Sequence, residues 1–189
     1  MSKAFTKDDS SNDLVIVPER APLPPGVPNY VTERGMHLLE QERRQLLAER
    51  ARLNEVEQDA DSDNEEHRKQ VGIVNRRLRD LIERISTARM VTLSADAERT
   101  VRFGATVIVR TVEGGGPGLP RRIKLVGVDE AQESASLVAF CAPIAKAVLG
   151  HRPGERVTRP TGSGDEVLEI VDVEYEAAGA ASDPPEARQ

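Results

Sequence analysis

The sequence predicts an α+β protein, in which an N-terminal antiparallel coiled-coil hairpin precedes a small antiparallel β domain with one short helix. Three observations lead to this class. Residues 32–92 contain no proline and carry a heptad pattern, residues beyond 101 alternate with a period of two, and prolines collect near the N-terminus. A chain of 189 residues with 38% hydrophobic and 3% aromatic residues fits long solvated helices better than one compact globule.

The heptad pattern is clearest in the second half of the proline-free stretch. Its apolar residues step by three and four: Val71, Val74, Leu78, Leu81, Ile85 and Ala88. The first half repeats the pattern with Leu at every d position and Arg at two a positions: Met36, Leu39, Arg43, Leu46, Arg50 and Leu53. Two such helices pair through an a/d seam, and no third helix of similar length exists to cover them. We therefore expect a protruding hairpin roughly 35 to 40 Å long.

The remaining segments complete the predicted domain organisation. Residues 1–29 form a disordered proline-rich extension, 30–93 the hairpin, 99–176 the C-terminal domain and 177–189 a disordered tail. In the C-terminal domain we expect strands from Val101, around 123–128, at 136–140 and at 166–175. We also expect a short helix at 143–149. In the last strand, Val171, Val173 and Tyr175 are predicted to share one face.

Acidic and basic residues lie in separate parts of the hairpin. Between residues 53 and 67 there are seven carboxylates and no Lys or Arg: Glu55, Glu57, Asp59, Asp61, Asp63, Glu65 and Glu66. The flanking arms carry a basic shaft: Arg43, Arg44, Arg50, Arg76 and Arg77. Seven like charges at one turn repel one another, so folding alone does not require them. The alternative is that they solvate a loop and favour the start of the second helix through its dipole, which accounts for two or three of them.

The acidic tip invites a metal-binding interpretation, but not a calcium loop. An EF-hand needs Gly where this chain has Asn64 and a bidentate Glu where it has Gln70. Mg²⁺ fits better, because it keeps several waters and is often shared with a phosphate or another protein's carboxylates. No complete catalytic constellation can be assembled, so we expect no self-contained active site. The single Cys141 excludes a disulfide framework, and without a signal peptide or apolar span we expect a cytoplasmic protein.

Four motifs then resemble, in order, those of the bacterial Gre transcript-cleavage factors GreA and GreB. They are Phe-Gly-Ala-Thr-Val at 103–107, Val-Gly-Val-Asp-Glu-Ala at 126–131, Ala-Pro-Ile-Ala-Lys-Ala-Val-Leu-Gly at 142–150 and Val-Asp-Val-Glu-Tyr at 171–175. The resemblance covers roughly residues 29–175. It implies an FKBP-like C-terminal domain that docks at the secondary channel of RNA polymerase, with the hairpin inside the channel. The tip then helps the polymerase hold a second Mg²⁺ and cleave backtracked RNA.

The resemblance also implies roles for individual residues. Asp63 and Glu66 assist catalysis, and the carboxylates that supply the shared Mg²⁺ are Asp59, Asp61, Asp63 and Glu66. The polymerase-binding residues are Asp129, Glu130, Pro143, Ile144, Ala145 and Lys146. We expect the basic shaft to face acidic channel walls or the extruded RNA, and contact with the RNA 3′ end to be indirect. We also expect the free protein to be a monomer and, because it has no apolar span, not to bind membranes.

The tip departs from the family pattern, which leaves two alternatives open. The cleavage-competent tip of the family reads Gly-Asp-x-x-Glu-Asn-Ala-(Glu/Asp)-Tyr, and here only the spacing of Asp63 and Glu66 remains. A non-cleaving regulator that inhibits the polymerase through the same channel is the first alternative. The second, from another class, is a chaperone or prolyl isomerase. It needs an aromatic-lined pocket, and Phe103, Phe140 and Tyr175 are too few and too core-like in their spacing to build one.

Overall fold

The computed structural model of the chain describes residues 20, 22–59, 65–91, 99–115, 118–132 and 134–175. Its elements follow one another as β1 (Tyr30–Val31), α1 (Glu33–Asp59), α2 (Glu65–Thr87), β2 (Arg89–Met90), β3 (Thr106–Glu113), β4 (Arg121–Val126), β5 (Leu137–Ala139), α3 (Pro143–Val148), β6 (Arg156–Thr161) and β7 (Gly164–Glu174). Two long helices precede a β domain with one short helix, which confirms the predicted α+β class. Of the two segments expected to be disordered, all except Arg20 and residues 22–29 lie outside the described residues.

The hairpin is held by the predicted seam. Helix α1 has 27 residues and α2 has 23, so they are about 40 and about 35 Å long. The d-position leucines of α1 and three apolar residues of α2 are buried: Leu39, Leu46, Leu53, Val74, Leu78 and Leu81. Arg43 and Arg50, at a positions, are half-buried, as expected when aliphatic stems cover a seam and the guanidinium groups reach water. Among the described helices, none combines the length and apolarity needed to cross a bilayer.

The C-terminal sheet has five strands in the order β5-β4-β3-β7-β6. Its pairs are antiparallel except β4 with β5, which is parallel, so the sheet is mixed where the sequence predicted an antiparallel domain. Helix α3 packs on one face and buries Ala145 and Val148 against the strands. Strand β3 begins at Thr106 and not at Val101, because Gly104 turns the chain with a φ of 82°.

A bulge in β7 changes which residues face the core. Ile108 pairs with Asp172 and the next residue, Val109, pairs with Ile170, so Val171 has no partner on β3. The extra residue reverses the alternation locally. Val171 is therefore 43% exposed while Val173 is 2% exposed. The prediction that these two side chains share a face is wrong for this reason.

A buried carboxylate links three strands of the sheet. Glu166 on β7 accepts a hydrogen bond of 2.7 Å from the Thr111 hydroxyl on β3 and another from the Arg159 guanidinium on β6. These two donors hold the pKa of the Glu166 carboxyl below its ordinary value of 4.5. Strand β6 carries Pro160 at the sheet edge, where a residue without an N–H is tolerated. The sequence analysis did not predict this strand.

Truncation of a seam residue tests the hairpin core. Leu81 is fully buried, whereas the neighbouring Ile82 is 50% exposed and serves as the matched control. We expect Leu81→Ala to lower the free energy of unfolding by about 2–5 kcal/mol because it leaves a cavity. Ile82→Ala should change it by less than about 1 kcal/mol. Denaturant unfolding followed by helical circular dichroism measures both, and equal losses would contradict the seam.

The Glu166 cluster gives the sheet domain a pH dependence of known sign. A carboxyl group whose pKa is lower in the folded state stabilises the fold above its unfolded-state pKa, and this contribution is lost as the pH falls through the folded-state value. We expect wild-type stability to fall below pH 4.5, and the fall should be shallower in Glu166→Gln. Thr111→Val, which removes the first donor at similar volume, should lie between them. Thermal unfolding from pH 7 to pH 3 measures this, and identical slopes in all three proteins would refute it.

Candidate functional site at the hairpin and its junction with the sheet

The described part of the hairpin tip consists of the two helix ends. Helix α1 ends at Asp59 and α2 begins at Glu65, while Asp61 and Asp63 lie outside the described residues. Glu65 forms an ion pair of 3.1 Å with Lys69, one turn further along α2, and Glu66 is exposed. Both carboxylates lie in the first turn of α2, where the helix dipole favours negative charge.

The described residues do not form a metal site of their own. Among them, no group of three or more His, Cys, Asp or Glu side chains is placed to hold a metal ion. Carboxylate oxygens are nevertheless the ligands that Mg²⁺ prefers, and the exposed Glu66 can face an ion held largely by a partner. The donor chemistry at the tip thus fits a shared Mg²⁺, and the assignment of Asp59, Asp61, Asp63 and Glu66 to it stays a prediction.

Part of the basic shaft shares a groove with two of the predicted polymerase-binding residues. Arg76 and Arg77, both exposed on α2, line this groove together with Asp129 and Glu130 of the sheet domain. Arg20 of the N-terminal extension lines it as well. The groove runs along the base of the hairpin. We call the place where the hairpin meets the sheet domain the junction.

Glu130 is the most deeply buried acid at the junction. Its side chain is 1% exposed and lies at the start of a single 3-10 turn that follows β4. The Thr32 hydroxyl donates a hydrogen bond of 2.5 Å to Oε2, and Nη1 of Arg34 donates one of 3.3 Å to Oε1. Both donors belong to the start of the hairpin. The hydrogen bonds that this buried carboxylate of the sheet domain needs are therefore supplied by the hairpin.

The start of α1 is shaped to accept this carboxylate. Thr32 precedes α1 and its hydroxyl oxygen accepts a hydrogen bond of 2.9 Å from the Gly35 N–H, which caps the helix. A Cβ atom at Gly35 would lie 2.9 Å from Oε2 of Glu130 and 3.3 Å from the Thr32 hydroxyl. A side chain there would displace one of these oxygens, so the glycine admits Glu130 to the helix surface.

Asp129 joins the last turn of α2 to the sheet domain. Nε of Arg84 lies 3.6 Å from its Oδ2 atom, and Nη1 of Arg20 donates a hydrogen bond of 2.5 Å to its Oδ1 atom. Arg84 is 7% exposed and the Asp129 side chain 12% exposed. A charged pair this sheltered is screened far less by solvent than a surface pair. Asp129 and Glu130 are thus engaged within the chain, and their predicted contact with the polymerase stays a prediction.

The two ends of the hairpin are tied together by a short parallel ladder. Tyr30 and Val31 of β1 pair with Arg89 and Met90 of β2. One residue earlier, the buried Asn29 donates through its side-chain amide to the carbonyl oxygen of Arg84 at 2.7 Å. The chain therefore enters α1 and leaves α2 at one fixed place, beside the sheet domain.

Aromatic rings pack across the same junction. The centroid of the Tyr30 ring lies 5.8 Å from that of Phe103 and 5.5 Å from that of Phe140, and the centroids of the two Phe rings are 5.5 Å apart. A Cβ atom at Gly127 would lie 2.7 Å from the Tyr30 carbonyl oxygen, so only glycine fits this close approach of two backbones. The two Phe rings thus contact the hairpin. Tyr175 instead donates a hydrogen bond to the Thr100 carbonyl.

The other predicted polymerase-binding residues lie on α3, away from the groove. Pro143 occupies the first position of the helix and is exposed, as is Lys146. Ile144 is half-buried, and Ala145 is fully buried in the core of the sheet domain. The exposed pair can meet a partner, whereas Ala145 positions the helix.

Sequence reasoning missed Arg20, Thr32 and Arg84 as junction residues. Thr32 carried a readable signal, since a Thr directly before an acidic residue and a long helix is a typical N-cap. Arg84 gave none, because nothing in the heptad spacing shows that a charged residue near the end of α2 is buried. Arg20 lies 109 residues from its partner Asp129, a distance that no local pattern bridges.

Comparisons with known proteins agree with the motifs. Residues 96–175 match the family described as "Transcription elongation factor, GreA/GreB, C-term". The chain is 30% identical to the transcription elongation factor GreB of Neisseria meningitidis, over 78% of this chain and 94% of that protein. It is also 30% identical to GreA of Vibrio cholerae, over 77% of this chain and 96% of that protein.

Among solved structures, the chain resembles the prokaryotic transcription elongation factor GreA/GreB from Nitrosomonas europaea. The identity is 17%, the match covers 79% of this chain and 99% of that one, and the TM-score is 0.37. So low a score adds nothing to the sequence relationships. The sequence matches, over 158 and 154 residues, cover nearly the whole length of both relatives and are too long to be confined to the sheet domain. The chain therefore belongs to the GreA/GreB family of transcription elongation factors.

Proposed function

We propose that this elongation factor binds RNA polymerase through its sheet domain and carries the acidic tip into the secondary channel, near the Mg²⁺ of the active site. There it stimulates cleavage of backtracked RNA by the polymerase. The observation that carries the proposal is the separation of charge along a hairpin with a fixed base. Seven acids lie between residues 53 and 67, and the two arms behind them are basic. Membership of the family implies that the protein interacts with RNA polymerase and therefore acts in the cytoplasm.

The chemistry divides between the two proteins. A second Mg²⁺ supplies a polarised water and offsets charge that develops on the phosphate. This chain supplies carboxylate oxygens at the end of a lever about 40 Å long, and Asp63 and Glu66 are the first candidates. In this proposal the factor is not an enzyme by itself, because the hydrolysis is the polymerase's own.

The basic shaft has a complementary role in the proposal. From residue 31 to residue 90 the hairpin carries 13 acids and 12 Lys or Arg residues, so its net charge is close to zero. Arg44, Arg76 and Arg77 are exposed and present positive charge toward an acidic channel wall or extruded RNA. Such charges steer the approach of a partner more than they add affinity.

A second function is favoured by one specific observation, the composition of the tip. The Asn-Ala-acid-Tyr sequence of the cleavage-competent tip is absent, while the density of carboxylates is high. A tip of this kind can occupy the channel or hold the metal without promoting hydrolysis. The factor then slows nucleotide addition and releases no RNA fragment. The isomerase alternative is weakened, because Phe103 and Phe140 are packed against Tyr30 of the hairpin.

Substitution at the tip tests the proposed function. In Asp63→Ala with Glu66→Ala we expect the rate of 3′-fragment release from backtracked complexes to fall about 10- to 100-fold, the range seen when groups supporting a metal site are lost. The control is Glu49→Ala with Glu83→Ala, which removes two exposed acids from the shaft and should leave the rate unchanged.

The same assay separates the two functions. Slower nucleotide addition with no fragment from the wild-type protein, relieved by the tip variant, identifies the inhibitor. If the tip variant alters neither cleavage nor inhibition, the tip does not act in the polymerase, and both versions of the proposal fail.

A further inference from the structure

The N-terminal extension contributes a residue that contacts both halves of the molecule. The guanidinium of Arg20 donates through Nη2 to Glu42 on α1 and through Nη1 to Asp129, which follows β4. The Arg20 side chain is 18% exposed and that of Asp129 is 12% exposed. A single planar group therefore bridges two carboxylates that belong to different parts of the fold.

We propose that Arg20 is a positioning residue that fixes the direction of the hairpin relative to the sheet domain. The guanidinium holds its donors in a rigid fork, so two carboxylates bound to it are held at a set separation. The pair with Asp129 is mostly sheltered from water, and it loses less to solvent screening than an exposed pair.

The contact between Arg20 and Glu42 restricts tilting because Glu42 lies well beyond the first turn of α1. Thr32, Arg34 and Gly35, which surround Glu130, lie at the very start of the helix. Glu42 lies about 14 Å beyond the first residue of α1 along the helix axis. Contacts gathered at one end of a rod leave it free to tilt, whereas a contact further along resists tilting.

Small tilts matter at the tip. A rotation of about 10° at the base of a helix about 40 Å long moves its far end by about 7 Å. Groups that must support a reaction tolerate far smaller displacements. A residue that restricts tilt at the base therefore decides how narrowly the acidic tip is placed. Only this consequence for cleavage rests on the proposed function, since the tilt itself is a property of the free protein.

Distance measurements on the free full-length chain test the inference. In a Cys141→Ser background, spin labels at the exposed positions of Gln70 on α2 and Glu113 on β3 report the hairpin direction by pulsed electron paramagnetic resonance. We expect Arg20→Ala to widen the distance distribution at least about twofold, because alternative tilts become populated. Arg20→Lys should resemble Arg20→Ala more than the wild type, since an ammonium group lacks the fork.

Two further variants distinguish a bridge from a general loss of stability. Arg44→Ala removes an exposed arginine from α1 and should leave the distribution unchanged. Glu42→Gln should widen it, and Arg20→Ala added to Glu42→Gln should widen it little further, because the same contact is already lost. Unfolding midpoints of all variants show that each remains folded.

Two results would overturn the inference. One is an unchanged distribution in Arg20→Ala, and the other is full additivity of Arg20→Ala and Glu42→Gln. The failure of the proposed function looks different. In that case the wild-type protein has no effect on backtracked polymerase, while the distance distributions still depend on Arg20.

Discussion

The burial of Glu130 against the start of α1 is the contact on which the arrangement of this molecule depends. A two-helix seam is thin and, in the described part of the chain, its buried cluster includes no residue of the sheet domain, so the hairpin must be anchored to that domain at its base. There a sheet-domain carboxylate is satisfied by Thr32 and Arg34, and Gly35 leaves room for it. Removing Thr32 or Arg34 would leave an oxygen of the buried Glu130 carboxylate without its donor, which is costly.

The position of the acidic tip depends on how the base of the hairpin is held. Carboxylates at the end of a freely swinging hairpin would sample many positions, and under the proposed function they would rarely come close to the metal of the polymerase. Acid at the end of a hairpin with a held base is confined to a small volume. Asp129 and Glu130 make their contacts within the chain. In the proposed function these contacts let a docked sheet domain determine the position of the tip.

Local patterns predicted the helices and four of the five strands of the sheet domain, but not strand β6 and not the way the elements assemble. The heptad spacing identified Leu39, Leu46, Val74, Leu78 and Leu81 as seam residues, because burial in a helix pair follows a period that can be read directly. The bulge at Val171 was missed, since an inserted residue shows only when the partner strand is known. The junction was missed because its contacts join residues about 100 positions apart, such as Thr32 and Glu130. From the sequence, a cluster of carboxylates is predicted at the hairpin tip. Two of its members, Asp61 and Asp63, lie outside the described residues, so their predicted roles stay predictions.

Photocrosslinking from the hairpin to the RNA in a backtracked polymerase complex tests directly whether the acidic tip lies near the RNA 3′ end. A photoreactive residue at position 66, at the start of α2, is compared with one at position 83, about 25 Å nearer the base. We expect position 66 to label the RNA near its 3′ end and position 83 not to label it. Labelling of the 3′ end from position 83 alone, or from neither position while the complex stays bound, would contradict it.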